Sequence, residues 1–195
     1  MTGVPPTARE PVAETLHGVR LVDPYRWLEG TEQGDITDEV AAWTDRQNAH
    51  TRQVLDQLPG REALEQRLRQ LMEVPAVSAP GMYGTRYFYS RREGGQPQAV
   101  HYVRDSLDGR ERVLLDPQAI DPTGLTTVAW TAPGNDGRLM AFGMYRSGDE
   151  NSVLYVMDVD SGDWLAEEIP GKVALVRWLE DDSGFYYRQI GRAHV

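Results

Sequence analysis

Two hydrophobic periodicities divide this chain. Between Ile36 and Leu58, the residues Val40, Trp43, Gln47, Val54 and Leu58 fall on or near one face at helical spacing. Pro59-Gly60 breaks that run. Arg61–Met72 forms a second predicted helix, with Leu64, Leu68, Leu71 and Met72 on one stripe and Glu65 and Arg69 four apart on another. Upstream, residues 1–15 are rich in proline and polar groups and are expected to be extended. Asp23-Pro24 starts a turn, since proline presets its own φ and biases the preceding residue away from helix. Tyr25–Gly30 is then long enough for one helical turn closed by Gly30, and Thr31–Asp35 reads as a loop.

From Pro75 onward the helical spacing stops and short β-rich runs begin. Residues 86–92, 98–105 and 112–116 are predicted strands, separated by "EGGQP" and "SLDGRE", which carry the Gly, Asp and Pro that hairpins use. Residues 139–147 and 152–160 repeat the texture around "GDEN". The repetition keeps one interval: Gly84 and Gly137, Tyr102 and Tyr155, and Gly109 and Gly162 are each 53 positions apart. A third copy begins in "VALVRWLEDDSGFYY", where Trp178 echoes Trp130 and Gly184 echoes Gly137. Three pairs in register, covering two strands and a turn, point to a repeated four-stranded unit of about fifty residues, the size of a β-propeller blade. Propellers close with about four to eight blades. Two blades and part of a third are expected here.

Composition narrows the classes. Hydrophobic content is 40% and charged content 26%, enough for a packed core. The net charge of −10 is spread evenly: residues 1–75 hold 8 Arg and 13 acids, and residues 76–195 hold 12 Arg+Lys and 17 acids. Nucleic-acid binding needs a clustered positive face, and neither part supplies one. With no cysteine, disulfides, thiolate nucleophiles and Cys-based zinc sites are excluded. The first residues lack the apolar run of a signal peptide, and no stretch approaches the ~20 apolar residues that span a bilayer, so a cytoplasmic protein without membrane contact is expected.

The candidate chemistry is sparse. None of the serines at 78, 90, 106, 147, 152, 161 and 183 sits in Gly-x-Ser-x-Gly. His17, His50, His101 and His194 do not pair at metal-ligand spacing. "DVDSGD" (158–163) resembles the start of a calcium loop, but the twelfth position is Ile169 where a bidentate acid is required, so a hairpin turn is the better reading. "EDDSG" (180–184) reads the same way. Trp43, Tyr87, Phe88, Tyr89, Trp130 and Trp178 suggest a stacking platform, but aromatics alternating in strands are more often sheet packing.

The segment "HGVRLVDPYRWLEG" (His17–Gly30), with the helix pair that follows it, resembles the N-terminal region of prolyl oligopeptidases. "GTRYFYSRREGGQPQAVHYVRDSLDGRERVLLDP" (Gly84–Pro117) is similar to the first propeller blade of that family. The likeness covers roughly residues 10–189, and one departure is Gly30, where the family often has Asp. Oligopeptidase B shares the Asp-Pro-Tyr-x-Trp-Leu signature, so an oligopeptidase B-like peptidase stands as an alternative, as does a non-catalytic β-propeller-type binding module. What the resemblance implies is a mixed fold. An N-terminal helical segment (1–75) belongs to the α/β-hydrolase domain of the parent and is followed by an incomplete β-propeller of about two and a half antiparallel blades (76–189). The parent would be a monomeric serine endopeptidase cutting short peptides after proline, its propeller acting as a size filter. The triad would lie outside this chain, with no catalytic residue, metal or cofactor within it. A family position lining the substrate site falls near Val173, and no role is carried over to it. Residues 190–195, "IGRAHV", break the blade pattern and match the translation of a common sequencing adapter, so they are expected to be non-native.

Overall fold

The computed structural model describes residues 3–31 and 34–190. Most of the expected non-native tail, residues 191–195, therefore lies outside the described residues. Two compact units meet in sequence between Leu68 and Arg69.

In the first unit, β1 (Val12–Leu16) and β2 (Val19–Asp23) pair as an antiparallel hairpin in register from Val12↔Asp23 to Leu16↔Val19. The extended segment expected upstream thus continues into a strand that folds back on itself. The signal was the two-residue His17-Gly18 connection, both members of which take positive φ, the conformation that matches strand twist. Asp23 Oδ1 then accepts from Tyr25 N at 2.8 Å, which makes the turn at Asp23-Pro24, and a 3-10 turn follows over Arg26–Glu29. Helix α1 (Asp38–Leu55) starts at Thr37, whose Oγ1 accepts from Val40 N at 3.3 Å. Helix α2 (Arg61–Met72) begins after the Pro-Gly break. Trp27 and Trp43 meet edge to face with centroids 6.3 Å apart. Their indole N–H groups donate to Ala8 O and Thr7 Oγ1, each at 3.1 Å. Trp27 is therefore a structural anchor. Among the described residues of this unit Val40 alone is buried.

The second unit is built from antiparallel sheets. The first contains β3 (Ala76–Val77), β4 (Gly81–Tyr83), β5 (Arg86–Arg92), β6 (Val100–Arg104) and β7 (Arg112–Leu115), ordered β3-β5-β6-β7 with β4 also on β5. After a short helix α3 (Pro117–Ile120), β8 (Thr126–Pro133), β9 (Leu139–Arg146), β10 (Val153–Asp158) and β11 (Trp164–Ile169) form a four-stranded meander. Then β12 (Val173–Trp178) pairs with β13 (Phe185–Gln189). Each strand run expected from the sequence is present. The 53-residue interval is physical. Tyr89 stands opposite Tyr102 and Phe142 opposite Tyr155, and both ring pairs stack, at 5.6 and 5.7 Å. Gly84 and Gly137 both have positive φ, and the two turns touch. A Cβ on Gly84 would lie 2.4 Å from Asp136 O, and one on Gly137 would lie 2.7 Å from Tyr83 O.

Strand alternation sends each side of the middle sheet into a different core. Met140, Phe142 and Met144 join Phe88, Val103 and Leu115 of the first sheet. Ala141, Leu154 and Val156 join Val173, with Val176, Trp178 and Phe185 of the last pair against them. The supposed echo of Trp130 by Trp178 needs correcting. A true repeat would place the two indoles in successive layers, yet both lie in this second seam, where Trp130 Nε1 donates to Val173 O and Trp178 Nε1 donates to Ala132 O. The register shift between Val128 and Trp130 turns the Trp130 ring onto that face, over Gly143.

Candidate functional site

The described residues contain no assembled catalytic constellation. Ser78 Oγ accepts from Ser90 N, Ser152 Oγ donates to Val173 O, and Ser183 Oγ donates to Asp181. Each of these hydroxyls is engaged in a turn or a strand, and no hydrogen bond joins a described serine to an imidazole. His17 forms the β1–β2 turn and His50 lies on α1. His101 lies in β6, where burial holds its pKa below 6.5. His194 is outside the described residues. No group of His, Asp and Glu among the described residues is arranged to hold a metal. None of the described helices is long and apolar enough to cross a membrane.

The turn readings hold at Asp158 and Asp181. Asp158 Oδ1 accepts from Asp160 N and Ser161 N, and Asp181 Oδ1 accepts from Ser183 N. The neighbouring Asp182 does something sequence reasoning missed. Its carboxylate reaches the β8–β9 turn and accepts from Asn135 N at 2.8 Å, Asn135 Nδ2 at 2.8 Å and Asp136 N at 2.9 Å. The aromatic platform is dispersed. Phe88 enters the first core, Trp130 and Trp178 the second, and Tyr89 faces the other side of the first sheet. Val173 is fully buried.

The strongest electrostatic feature is on that other side of the first sheet. Arg91 donates twice to Glu111, each bond 2.9 Å, and Tyr89 Oη also donates to it. Arg104 donates to Tyr89 Oη at 3.1 Å, and the Arg91 guanidinium lies 4.4 Å from the Tyr102 centroid. The Arg91 and Tyr89 hydrogen bonds hold the Glu111 pKa down to about 2. Burial first, and then Glu111 as an acceptor, raise that of Tyr89. A carboxylate saturated in this way is a poor general base, and what the cluster does visibly is tie β5 and β6 to Glu111, just before β7. Beside it lies a cavity of about 230 Å³ lined by Tyr87, Tyr89, Arg104 and Leu107. A second, of about 210 Å³, lies between the first two sheets, and a third, of about 460 Å³, is bordered by Asp121, Arg146, Tyr155 and Trp164.

Successive antiparallel sheets, each hiding its faces against a neighbour, define the second unit as β-propeller architecture. Residues 5–194 match the family model described as the prolyl oligopeptidase N-terminal β-propeller domain, and the chain belongs to that family. A prolyl endopeptidase of Elizabethkingia meningoseptica is 29% identical over 184 residues, covering 94% of this chain and 25% of the relative. Prolyl oligopeptidase A of Galerina marginata is 31% identical over 193 residues, covering 88% of this chain and 26% of the relative. A solved structure, from work on two prolyl endopeptidases and the role of inter-domain dynamics in their catalysis and specificity, superposes with a TM-score of 0.83 at 39% identity. It covers 98% of this chain and 28% of that one. The chain thus spans about a quarter of the length of the relatives it matches.

Proposed function

We propose that this chain is the N-terminal part of a prolyl oligopeptidase-type serine endopeptidase, which hydrolyses short peptides after proline. In this reading residues 1–75 seat on the hydrolase body, residues 76–189 form about two and a half blades of a propeller that filters substrates by size, and residues 190–195 are foreign. The parent is a cytoplasmic monomer without metal or cofactor, and its triad lies outside this chain. The observation that carries the reading is the superposition over 98% of the chain on a prolyl endopeptidase at 39% identity.

The test has two arms. The 195-residue chain is incubated with a short proline-containing chromogenic peptide, and the genomic reading frame is followed past Gln189. No turnover by the chain, with further propeller strands and a Gly-x-Ser-x-Gly motif downstream, is the expected result. Hydrolysis by the chain alone, or a longer frame without such a motif, overturns it.

A further inference from the structure

His101 sits on β6 opposite Ser90 of β5, on the same side of the first sheet as Phe88 and Val103, which is the side facing the middle sheet. There it lines the cavity of about 210 Å³ together with Ser78, Ser90, Thr131, Pro133 and Met140. The residues lining this cavity offer hydroxyls, backbone groups and apolar carbon, but no carboxylate. We propose that His101 is an acid-sensitive latch, whose protonation loosens the seam between the first two sheets where β5 and β6 lie against β8 and β9.

The charged groups around it are committed elsewhere. On β5, Arg86 is bound to Gly137 O, Asp105 and Asp160, and Arg92 to Met72 O and Val74 O. On β7, Arg112 is bound to Asp105 and Val159 O. Arg91, Arg104 and Glu111 form their cluster on the opposite side of the sheet. From the middle sheet, β8 contributes no titratable side chain, Arg146 at the end of β9 pairs with Asp121, and Tyr155 on β10 stacks on Phe142. Tyr83 on β4 lies edge-on to Phe88. Among the described residues no counter-charge is placed against an imidazolium here, and the half-buried setting of the ring is what opposes it. The sign follows. A base whose folded pKa is depressed leaves stability intact above the ordinary 6.5, and the stability is lost as pH falls from there through the lower folded value. The seam is also where Gln98 Nε2 donates to Thr126 O at 2.6 Å, so loosening it exposes a sheet-to-sheet hydrogen bond as well as the cavity.

The experiment uses the full chain between about pH 7.5 and about pH 5, the range in which histidine titrates. Imidazole NMR should place the His101 pKa below 6.5. Hydrogen exchange in β5 and β6, corrected for intrinsic rates, should accelerate on acidification by roughly threefold or more, tenfold for each unit of depression being the ceiling. His101→Gln, and His101→Asn as a second uncharged variant, should remove that acceleration. A His101 pKa at or above 6.5 overturns the proposal, as does equal acceleration in the variants. Where neither variant folds, the unsubstituted chain still tests the proposal: exchange in β5 and β6 that does not accelerate through the His101 titration overturns it.

Discussion

The two units differ in where their apolar residues go. The second buries Val103, Leu115, Met140, Phe142, Leu154 and Val173 almost completely. The first leaves Val19, Val22, Leu64 and Leu68 half or more exposed, and holds its shape through polar ties. Arg26 bridges Glu14 and Asp23. The Trp27 and Trp43 indoles and Gln47 donate to residues 5–8 of the leading segment. Both units have well-formed elements, but only stacked sheets present each other with complementary apolar faces. A helix with an apolar stripe forms from local spacing and hydrogen bonds, and burying the stripe requires another surface.

The largest test of this contrast is a pair of truncations. Phe142→Ala removes a fully buried ring between two sheets and should cost about 3–5 kcal/mol in urea unfolding of the chain. Leu64→Ala on α2, at 61% exposure, should change it by only about 0.5 kcal/mol or less. Equal losses would mean that the first unit has a core of its own. Next comes Gly143→Val. Any Cβ there would lie 2.4 Å from the Trp130 ring, so the second seam should be overpacked by about 1–3 kcal/mol, with altered tryptophan fluorescence. An unchanged melting midpoint would show that the indole moves aside freely. Asp182→Ala unpairs the donors of Asn135 and Asp136 in the seam against the last strand pair and should cost about 1 kcal/mol. Amide exchange faster at residues 135–136 than elsewhere would locate the loss.

The smallest effect concerns acid. Glu111 has a folded pKa of about 2 against an ordinary 4.5, so its contribution is complete above 4.5 and is lost as pH falls toward 2. Its surroundings are solvent-screened, so the slope should be shallow. Glu111→Gln should lower stability at neutral pH, where the carboxylate's contribution is complete, and flatten the loss between about pH 4.5 and about pH 2, so that the two proteins converge in acid. A deficit as large at about pH 2 as at about pH 7 would show that Glu111 acts through packing and not through charge.

Much of this architecture was legible in order along the chain. Helical spacing located α1 and α2, and the Pro-Gly break separated them. Gly- and Asp-rich spacers located the hairpins. The 53-residue interval located two stacked rings at equivalent places, because a repeat preserves its cross-strand partners. Turn chemistry was legible at Asp23, Asp158 and Asp181, since an Asx turn is local. The strands β8 and β11 were harder. The β8 run "TTVAWTAP" carries a register shift that breaks alternation, and β11 is an edge strand whose residues are almost all exposed. Nothing in their polarity pattern distinguishes them from loops.

Local chemistry, then, determined which segments become helix, strand or turn, because those choices depend on spacing and on residues a few positions apart. The tertiary structure alone decided which faces meet. It brought Trp130 and Trp178 into one seam, turned Asp182 across to the β8–β9 turn, and set His101 between two sheets with no counter-charge among the described residues. Such pairings join residues more than forty positions apart, and a single strand shift reverses the face each side chain occupies, so only the folded stack fixes them.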